Sequence, residues 1–159
     1  MEYKFTSKDE MDTIELAQNF ESEKFPNMII CLNGELGSGK TVFTKGIGKY
    51  LGIKRTINSP TFTIMKIYDT QNPIINKLYH LDVYRLDNSE SDFELEEYFY
   101  LDGLTVIEWS IIIEDILPSD MWNVEITIEN ETTRVVKIIH NSLVLEEKIK
   151  EAKYEVIYR

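Results

Sequence analysis

Only one cysteine, Cys31, occurs in the 159 residues, so a disulfide within the chain is excluded. Because Cys31 lies in an apolar stretch, we expect a small buried side chain there. No apolar run reaches the ~18 residues that a membrane-spanning helix needs. The first residues lack the basic and apolar segments of a signal peptide. These absences predict a soluble, cytoplasmic protein that does not contact a membrane.

Basic residues are also scarce, with 17 Lys and Arg against 28 Asp and Glu and a formal net charge of −11. This charge repels a phosphate backbone, which disfavours direct binding of nucleic acid. A local anion site remains compatible with it, because charges elsewhere on the surface are screened beyond ~8 Å. With 43% hydrophobic residues, the chain is long enough for one core and too short for two ordinary domains. We therefore expect residues 1–159 to form a single domain.

Three of the seven glycines lie in the segment Gly34–Thr41, which reads Gly-Glu-Leu-Gly-Ser-Gly-Lys-Thr and is called the glycine-rich loop below. It matches the phosphate-binding pattern of two glycines with four residues between them, followed by Lys and Thr. Backbone N–H groups of such a loop surround a phosphate, Lys40 reaches the β- and γ-phosphates, and Thr41 offers its hydroxyl to Mg²⁺. The residues expected to contact ATP here are Gly34, Glu35, Leu36, Gly37, Ser38, Gly39, Lys40, Thr41 and Val42.

The surroundings of the glycine-rich loop suit this role. Residues 27–33 form an apolar run typical of a buried strand, and residues 41–51 continue with helical periodicity as far as Gly52. A strand before the loop and a helix after it aim the helix N-terminus at the bound anion. The sequence therefore predicts a nucleoside triphosphate site between these two elements.

The remaining pattern indicates an α/β fold. Ser7 and Glu10 have the spacing of a capping box and predict a first helix in which Met11, Ile14 and Ala17 share one face. Further predictions are an antiparallel pair at 61–68 and 74–82, a strand at 105–108, a short helix at 111–117, a hairpin at 122–128 and 134–140, and a last helix at 142–153. We expect a three-layer P-loop NTPase fold whose mixed sheet has parallel strands around the loop and antiparallel strands added.

Two acidic residues end predicted strands, Asp82 after Leu81 and Glu108 after Ile107. In a parallel sheet both carboxylates lie at the carboxyl edge, where they can hold the metal or orient water, although each alone also fits a plain surface acid. Thr61 has a hydroxyl that could sense the γ-phosphate, or the segment is simply a turn. His80 is interpreted as a hydrogen-bonded core residue, and Trp109 as a packing residue rather than a wall of the site.

Taken in order, these motifs resemble those of the TsaE (YjeE) family of small bacterial ATPases for tRNA modification. The resemblance runs nearly end to end and rests on residues 32–41, on Ser-Pro-Thr-Phe-Thr at 59–63, on Tyr-His-Leu-Asp-Val-Tyr-Arg-Leu at 79–86 and on Val-Ile-Glu-Trp at 106–109. It implies a role in making threonylcarbamoyladenosine in tRNA, together with a TsaD–TsaB pair. ATP hydrolysis would support turnover, and tRNA would be met only indirectly, through the complex.

The resemblance also implies roles for individual residues. Lys40 would bind phosphate, Thr41 and Glu108 would hold Mg²⁺, Asp82 would act as the strand-end acid and a further metal or water ligand, Thr61 would belong to a switch-like segment, and Thr13 and Arg134 would be weaker nucleotide contacts. Catalysis is thus expected to depend on Lys40, Thr61, Asp82 and Glu108.

Three other functions are compatible with a phosphate-binding loop. A small-molecule kinase usually needs several arginines around its acceptor, whereas the four here are scattered. A GTPase needs an Asn-Lys-x-Asp block, and residues 76–79 lack the aspartate. A nucleotide-operated binding switch with negligible turnover stays open. Because no arginine is obviously placed over the γ-phosphate, we expect slow, Mg²⁺-dependent ATP hydrolysis that partner proteins activate.

Overall fold

A computed structural model describes residues 2–19, 27–60, 63–84, 92–119, 121–139 and 155–157. In chain order the elements are β1 (Glu2–Ser7), α1 (Glu10–Gln18), β2 (Ile29–Gly34), α2 (Lys40–Tyr50), β3 (Met65–Asp69), β4 (Lys77–Asp82), α3 (Asp92–Tyr98), β5 (Leu104–Glu108), a 3-10 helix (Ser110–Ile116), β6 (Trp122–Ile128), β7 (Arg134–Ile139) and β8 (Glu155–Ile157).

All of these strands belong to one sheet with the order β3-β4-β5-β2-β6-β7-β1-β8. The central strand β2 is parallel to both β5 and β6, and β4 is parallel to β5. Antiparallel pairs flank this centre, β3 with β4 on one side and β7 with β6 and β1 on the other. The predicted mixed sheet, parallel near the glycine-rich loop and antiparallel outside it, is confirmed.

Both faces of the sheet are covered, which explains why β2 is apolar from Ile29 to Leu32. Ile30 and Leu32 pack into a cluster with side chains of α1 and α2, while Ile29 and Cys31 face the opposite cluster. That second cluster includes Leu95 of α3 and residues of the 3-10 helix. Strands buried on both faces read as continuous hydrophobic runs instead of alternating ones. The prediction that Cys31 is a small buried side chain is confirmed.

Helix α1 begins later than the capping-box pattern predicts. Ser7 ends β1, paired with Arg134, and the N-cap is Asp9, whose side chain accepts a hydrogen bond from the Asp12 N–H at 2.9 Å. Asp and Ser are equally good N-cap residues, so Ser7 can pair in the sheet without a loss of helix stability. Met11 consequently lies outside the buried face and is 54% exposed.

Helix α2 matches its prediction closely. It follows Gly39, which has φ 109°, and the chain leaves it through Gly52 at φ 75°. Helix α1 crosses it at Gly46, where a Cβ would lie 2.6 Å from the Ile14 carbonyl oxygen. The missing side chain therefore lets the two helices pack together.

Other predicted elements differ in detail. The antiparallel pair is confirmed, but β3 starts only at Met65, after Ile64 adopts φ 65°. The hairpin of β6 and β7 is confirmed, and the short helix before Pro118 is a 3-10 helix. Strand β1 was not predicted, although Glu2, Tyr3, Lys4 and Phe5 alternate between polar and apolar residues. The predicted last helix, 142–153, lies outside the described residues, as does Thr61.

Candidate functional site

The topology brings three chain segments to one edge of the sheet. The glycine-rich loop leaves the carboxyl end of β2, and the neighbouring strands β5 and β4 end there at Glu108 and Asp82, which are register partners. Carboxyl ends of parallel strands beside a crossover are where α/β sheets form ligand crevices. A cavity of about 590 Å³ opens at this edge.

Residues from the loop, three strand ends and two further segments line the cavity. They are Asp9, Glu10, Thr13, Glu35, Leu36, Gly37, Ser38, Gly39, Lys40, Thr41, Val42, Ser59, Asp82, Tyr84, Glu108, Trp109, Glu131, Thr132 and Arg134. The structure thus brings together every residue predicted for the site except two. Gly34 contributes its carbonyl below the loop, and Thr61 is outside the described residues.

The glycine-rich loop is folded tightly over its own start. A Cβ on Gly34 would lie 2.5 Å from Ser38 Oγ and 2.6 Å from the Ile126 carbonyl oxygen, so only glycine fits. Ser38 is buried, and its Oγ has no hydrogen-bond partner in the structure. A buried unpaired hydroxyl beside a cavity suits a loop that receives a polar ligand.

Lys40 occupies the first turn of α2 and is held by the protein itself. Its Nζ donates a hydrogen bond to the Gly34 carbonyl oxygen at 2.7 Å and lies 5.4 Å from the centre of the Trp109 ring. Both contacts stabilise a cation. The ammonium group therefore stands at the cavity wall, partnered by groups that a phosphate could replace.

Glu108 forms a buried pair with His80. Nε2 of His80 lies 3.0 Å from Glu108 Oε2, with the side chains 0% and 4% exposed. Since Nδ1 of His80 has no partner and a carboxylate only accepts, Nε2 carries the proton and donates it to Glu108. The prediction that His80 is a hydrogen-bonded core residue is confirmed. Its bond leaves Oε1 of Glu108 for other contacts.

Asp82 is also buried, and its Oδ1 accepts a hydrogen bond from the Tyr84 N–H at 3.1 Å. The rings of Tyr84 and Trp109 pack 4.9 Å apart beside it, 60% and 41% exposed. Trp109 has φ 62°, a backbone conformation that residues other than glycine rarely adopt. Trp109 lines the cavity, whereas the sequence favoured simple packing for it.

Arg134 ties the β6–β7 hairpin to the glycine-rich loop. Its Nε donates to the Ser38 carbonyl oxygen at 3.1 Å, and another nitrogen reaches the Gly37 carbonyl oxygen at 3.3 Å. A third nitrogen donates to the Asn130 carbonyl oxygen at 2.8 Å. The planar guanidinium group therefore holds the loop by its carbonyls, and only its remaining donor capacity is left for a ligand.

Two parts of the wall were missed by sequence reasoning. One is the start of α1, and the other is the turn between β6 and β7; the unpredicted lining residues are Asp9, Glu10, Ser59, Tyr84, Glu131 and Thr132. No local pattern marks the residues of α1 and of the turn, because they reach the site through tertiary packing, whereas Ser59 lies in the Ser-Pro-Thr motif already noted. For Tyr84 a signal existed, since it follows Asp82 by two residues.

The donor set fits a hard divalent cation better than a soft one. Thr41, Asp82 and Glu108 offer only oxygen, which Mg²⁺ prefers. Among the described residues, this cavity included, no group of three or more His, Cys, Asp or Glu side chains gathers closely enough to hold a metal by itself. Six carboxylates line the cavity against the two cations Lys40 and Arg134. With this excess of negative charge, the cavity does not favour a polyanion that binds without a metal cation.

Comparison with known proteins shows the family of this chain. The profile of the family described as "Threonylcarbamoyl adenosine biosynthesis protein TsaE" matches residues 7–136. This chain belongs to the TsaE family. The tRNA threonylcarbamoyladenosine biosynthesis protein TsaE from Rickettsia felis is 40% identical over 135 residues, which cover 84% of this chain and 77% of the relative. One from Bacillus subtilis is 47% identical over 95 residues, 60% of this chain and 58% of the relative.

A solved structure has the same fold. The crystal structure of YdiB from Bacillus subtilis superposes with a TM-score of 0.78 at 31% identity, covering 95% of this chain and 93% of that one. The α/β fold described above is therefore shared with YdiB. Across the described residues, no helix is at once long and apolar enough to cross a bilayer.

Proposed function

We propose that this protein is a P-loop NTPase that binds ATP with Mg²⁺ in the cavity and hydrolyses it slowly. The observation that carries the proposal is the meeting of the glycine-rich loop, Lys40 and two strand-end carboxylates on one cavity wall. A loop of this sequence between a strand and a helix suits a triphosphate, because backbone N–H groups and the helix N-terminus favour an anion there.

The chain's own residues divide into three roles. Lys40 would exchange its bond to Gly34 for the β- and γ-phosphates, and Thr41 and Glu108 would hold Mg²⁺. Asp82, buried at the end of β4, would bind the metal or orient the attacking water. When bound, Mg²⁺ would neutralise the negative charge that develops on the phosphate oxygens. Thr61, which lies outside the described residues, would belong to a switch-like segment.

Hydrolysis by the isolated chain should be slow for a structural reason. Of the two arginines that the structure describes, Arg134 is engaged with carbonyls of the loop and hairpin, and Arg55 packs over Tyr68 with its guanidinium carbon 5.2 Å from the ring centre. Neither is placed to stabilise charge on a transferring phosphoryl group. We infer that a partner completes the site.

We further propose that this ATPase serves threonylcarbamoyladenosine modification of tRNA, with a TsaD–TsaB complex as that partner. Membership of the TsaE family supports the pathway. The net charge of −11 supports an indirect encounter with tRNA through the complex, since an acidic surface repels nucleic acid. A location in the cytoplasm follows from this role.

Calorimetric titration with Mg-ATP tests the nucleotide site directly. Lys40→Ala should weaken binding by at least ~10-fold, because a charge-assisted phosphate contact is lost. Lys45→Ala is the matched control, since Lys45 is an exposed lysine of the same helix that does not line the cavity. Equal affinity in Lys40→Ala and Lys45→Ala would contradict the proposed site.

A further inference from the structure

The glycine-rich loop contains a buried hydroxyl group that is not used. Ser38 is 1% exposed and lines the cavity, and its Oγ makes no hydrogen bond to any of the described residues. A buried hydroxyl in this state has lost its hydrogen bonds to water without replacement, which destabilises the folded protein. Most buried polar groups are paired, so the exception in this loop calls for a physical reason.

The backbone of Ser38, in contrast, is engaged on both sides. Its N–H donates to the Glu35 carbonyl oxygen at 3.0 Å, and its carbonyl oxygen accepts from Arg134 Nε at 3.1 Å. Arg134 also holds the preceding residue, through the Gly37 carbonyl oxygen. Because the backbone is fixed in this way, the hydroxyl can gain a partner by rotation of the side chain, without refolding of the loop.

The hydroxyl of Ser38 lies against Gly34. A Cβ on Gly34 would be 2.5 Å from Ser38 Oγ and 3.2 Å from Ser38 Cβ, so the serine side chain rests on the Cα of this glycine. The carbonyl group bonded to that Cα accepts the hydrogen bond from Lys40 Nζ at 2.7 Å. An unused donor therefore lies beside an acceptor that Lys40 occupies.

A bound phosphate would change the partner of Lys40. In the proposed ATP site, its ammonium group leaves the Gly34 carbonyl for the β- and γ-phosphates. The contact that it leaves is partly buried, so loss of the donor is unfavourable unless another donor replaces it. A serine hydroxyl has one proton to donate, and that of Ser38 is unused. One hydrogen bond between Ser38 and Gly34 would satisfy both groups.

We propose that the Ser38 hydroxyl replaces Lys40 as the donor to the Gly34 carbonyl when a phosphate binds. The inference rests on the proposed ATP site and deepens it. In the free protein Lys40 holds Gly34 and the hydroxyl is unpaired; in the occupied protein Lys40 holds phosphate and Ser38 holds Gly34. Ser38 is thus a positioning residue, because its hydroxyl acts by releasing Lys40 and not by contact with the nucleotide.

A double-mutant cycle without nucleotide tests the exchange, with denaturant unfolding as the measurement. In the unaltered protein, Ser38→Ala removes an unpaired hydroxyl and should lower the equilibrium constant for unfolding roughly fivefold. Lys40→Met keeps a long side chain but has no donor, so it leaves the Gly34 carbonyl to Ser38. In that background Ser38→Ala removes a hydrogen bond and should raise the constant by a similar factor.

Lys45→Met is the matched control background, since Lys45 is an exposed lysine of the same helix outside the cavity. There Ser38→Ala should act as it does in the unaltered protein. The same sign of its effect in the Lys40→Met and Lys45→Met backgrounds would overturn the inference. A bond from Ser38 to the Ile126 carbonyl oxygen, 2.6 Å from the same Cβ position, would give that result, because it does not depend on Lys40.

Calorimetric titration with Mg-ATP tests the link to the ligand. Ser38→Ala should weaken binding by at least ~5-fold although it stabilises the free protein, because the bond to Gly34 that forms on binding is lost. Damage to the structure alone would lower both stability and affinity. Binding by Ser38→Ala as tight as that of the unaltered protein would overturn the inference and leave the ATP site in place. Failure of the unaltered protein to bind Mg-ATP would overturn both.

Discussion

At the scale of single residues, the pairing of His80 with Glu108 shapes the site most. A carboxylate that is 4% exposed has lost most of its water and depends on the donor that faces it. The bond from His80 also fixes which oxygen of Glu108 remains for a metal ligand role. In metal sites, such outer contacts orient the ligand.

Replacing His80 should therefore destabilise the protein through Glu108. His80→Leu removes the donor and should lower the free energy of unfolding by about 1–3 kcal/mol. His80→Gln keeps an N–H donor and should recover part of that loss. Denaturant unfolding of both variants measures the difference. If His80→Leu proves as stable as His80→Gln, the bond to Glu108 is not the reason for the histidine.

Several site residues were predictable because their signals are local. Lys40 and Thr41 follow from the glycine-rich loop, and Asp82 and Glu108 from their places at the ends of apolar strands. The hydrogen bond between the hydroxyl groups of Thr13 and Ser7 was not predictable, since it joins side chains across the β1–α1 connection. Sequence periodicity carries no information on which hydroxyl groups meet.

At the scale of elements, the β6–β7 hairpin supports the glycine-rich loop. The two are far apart in sequence, yet Arg134 reaches the carbonyls of Gly37 and Ser38. Lysine cannot reproduce this, because an ammonium group lacks the planar fork of donors. The hairpin thus stabilises the conformation of the loop.

Arg134→Lys should weaken binding of Mg-ATP on the order of tenfold, although the charge is kept. Arg55→Lys is the matched control, since Arg55 is outside the cavity. Titration with Mg-ATP measures both. If the two variants bind equally well, the contacts of Arg134 to the loop carbonyls do not contribute to the site.

Element boundaries were predicted correctly where a helix cap or a helix-breaking residue alone decides them. They were missed where the same residue can also pair in the sheet. Gly52 ends α2 as expected, because glycine readily takes φ 75°. Ser7 was expected to cap α1, but pairing with Arg134 places it in β1, and Asp9 caps the helix instead. Strand pairing is non-local, so sequence patterns near Ser7 do not reveal it.

At the scale of the whole molecule, the negative charge supports the proposed dependence on a partner. The formal charge is −11, and six carboxylates line the cavity against two cations. A triphosphate would therefore need Mg²⁺ to approach this wall, and an acidic surface disfavours direct contact with nucleic acid. An ATPase of this kind would act on tRNA through a complex that binds the nucleic acid.

The most direct measurement is ATP hydrolysis by the purified protein with Mg²⁺, alone and with the TsaD–TsaB pair from the same source. Lys40→Ala serves as the blank. We predict slow hydrolysis alone, strong stimulation by the pair, and loss of both in Lys40→Ala. Hydrolysis that ignores the pair and starts only when a small phosphate acceptor is added would contradict the proposed function and favour a kinase. Binding of Mg-ATP and the pair without turnover would instead indicate a switch.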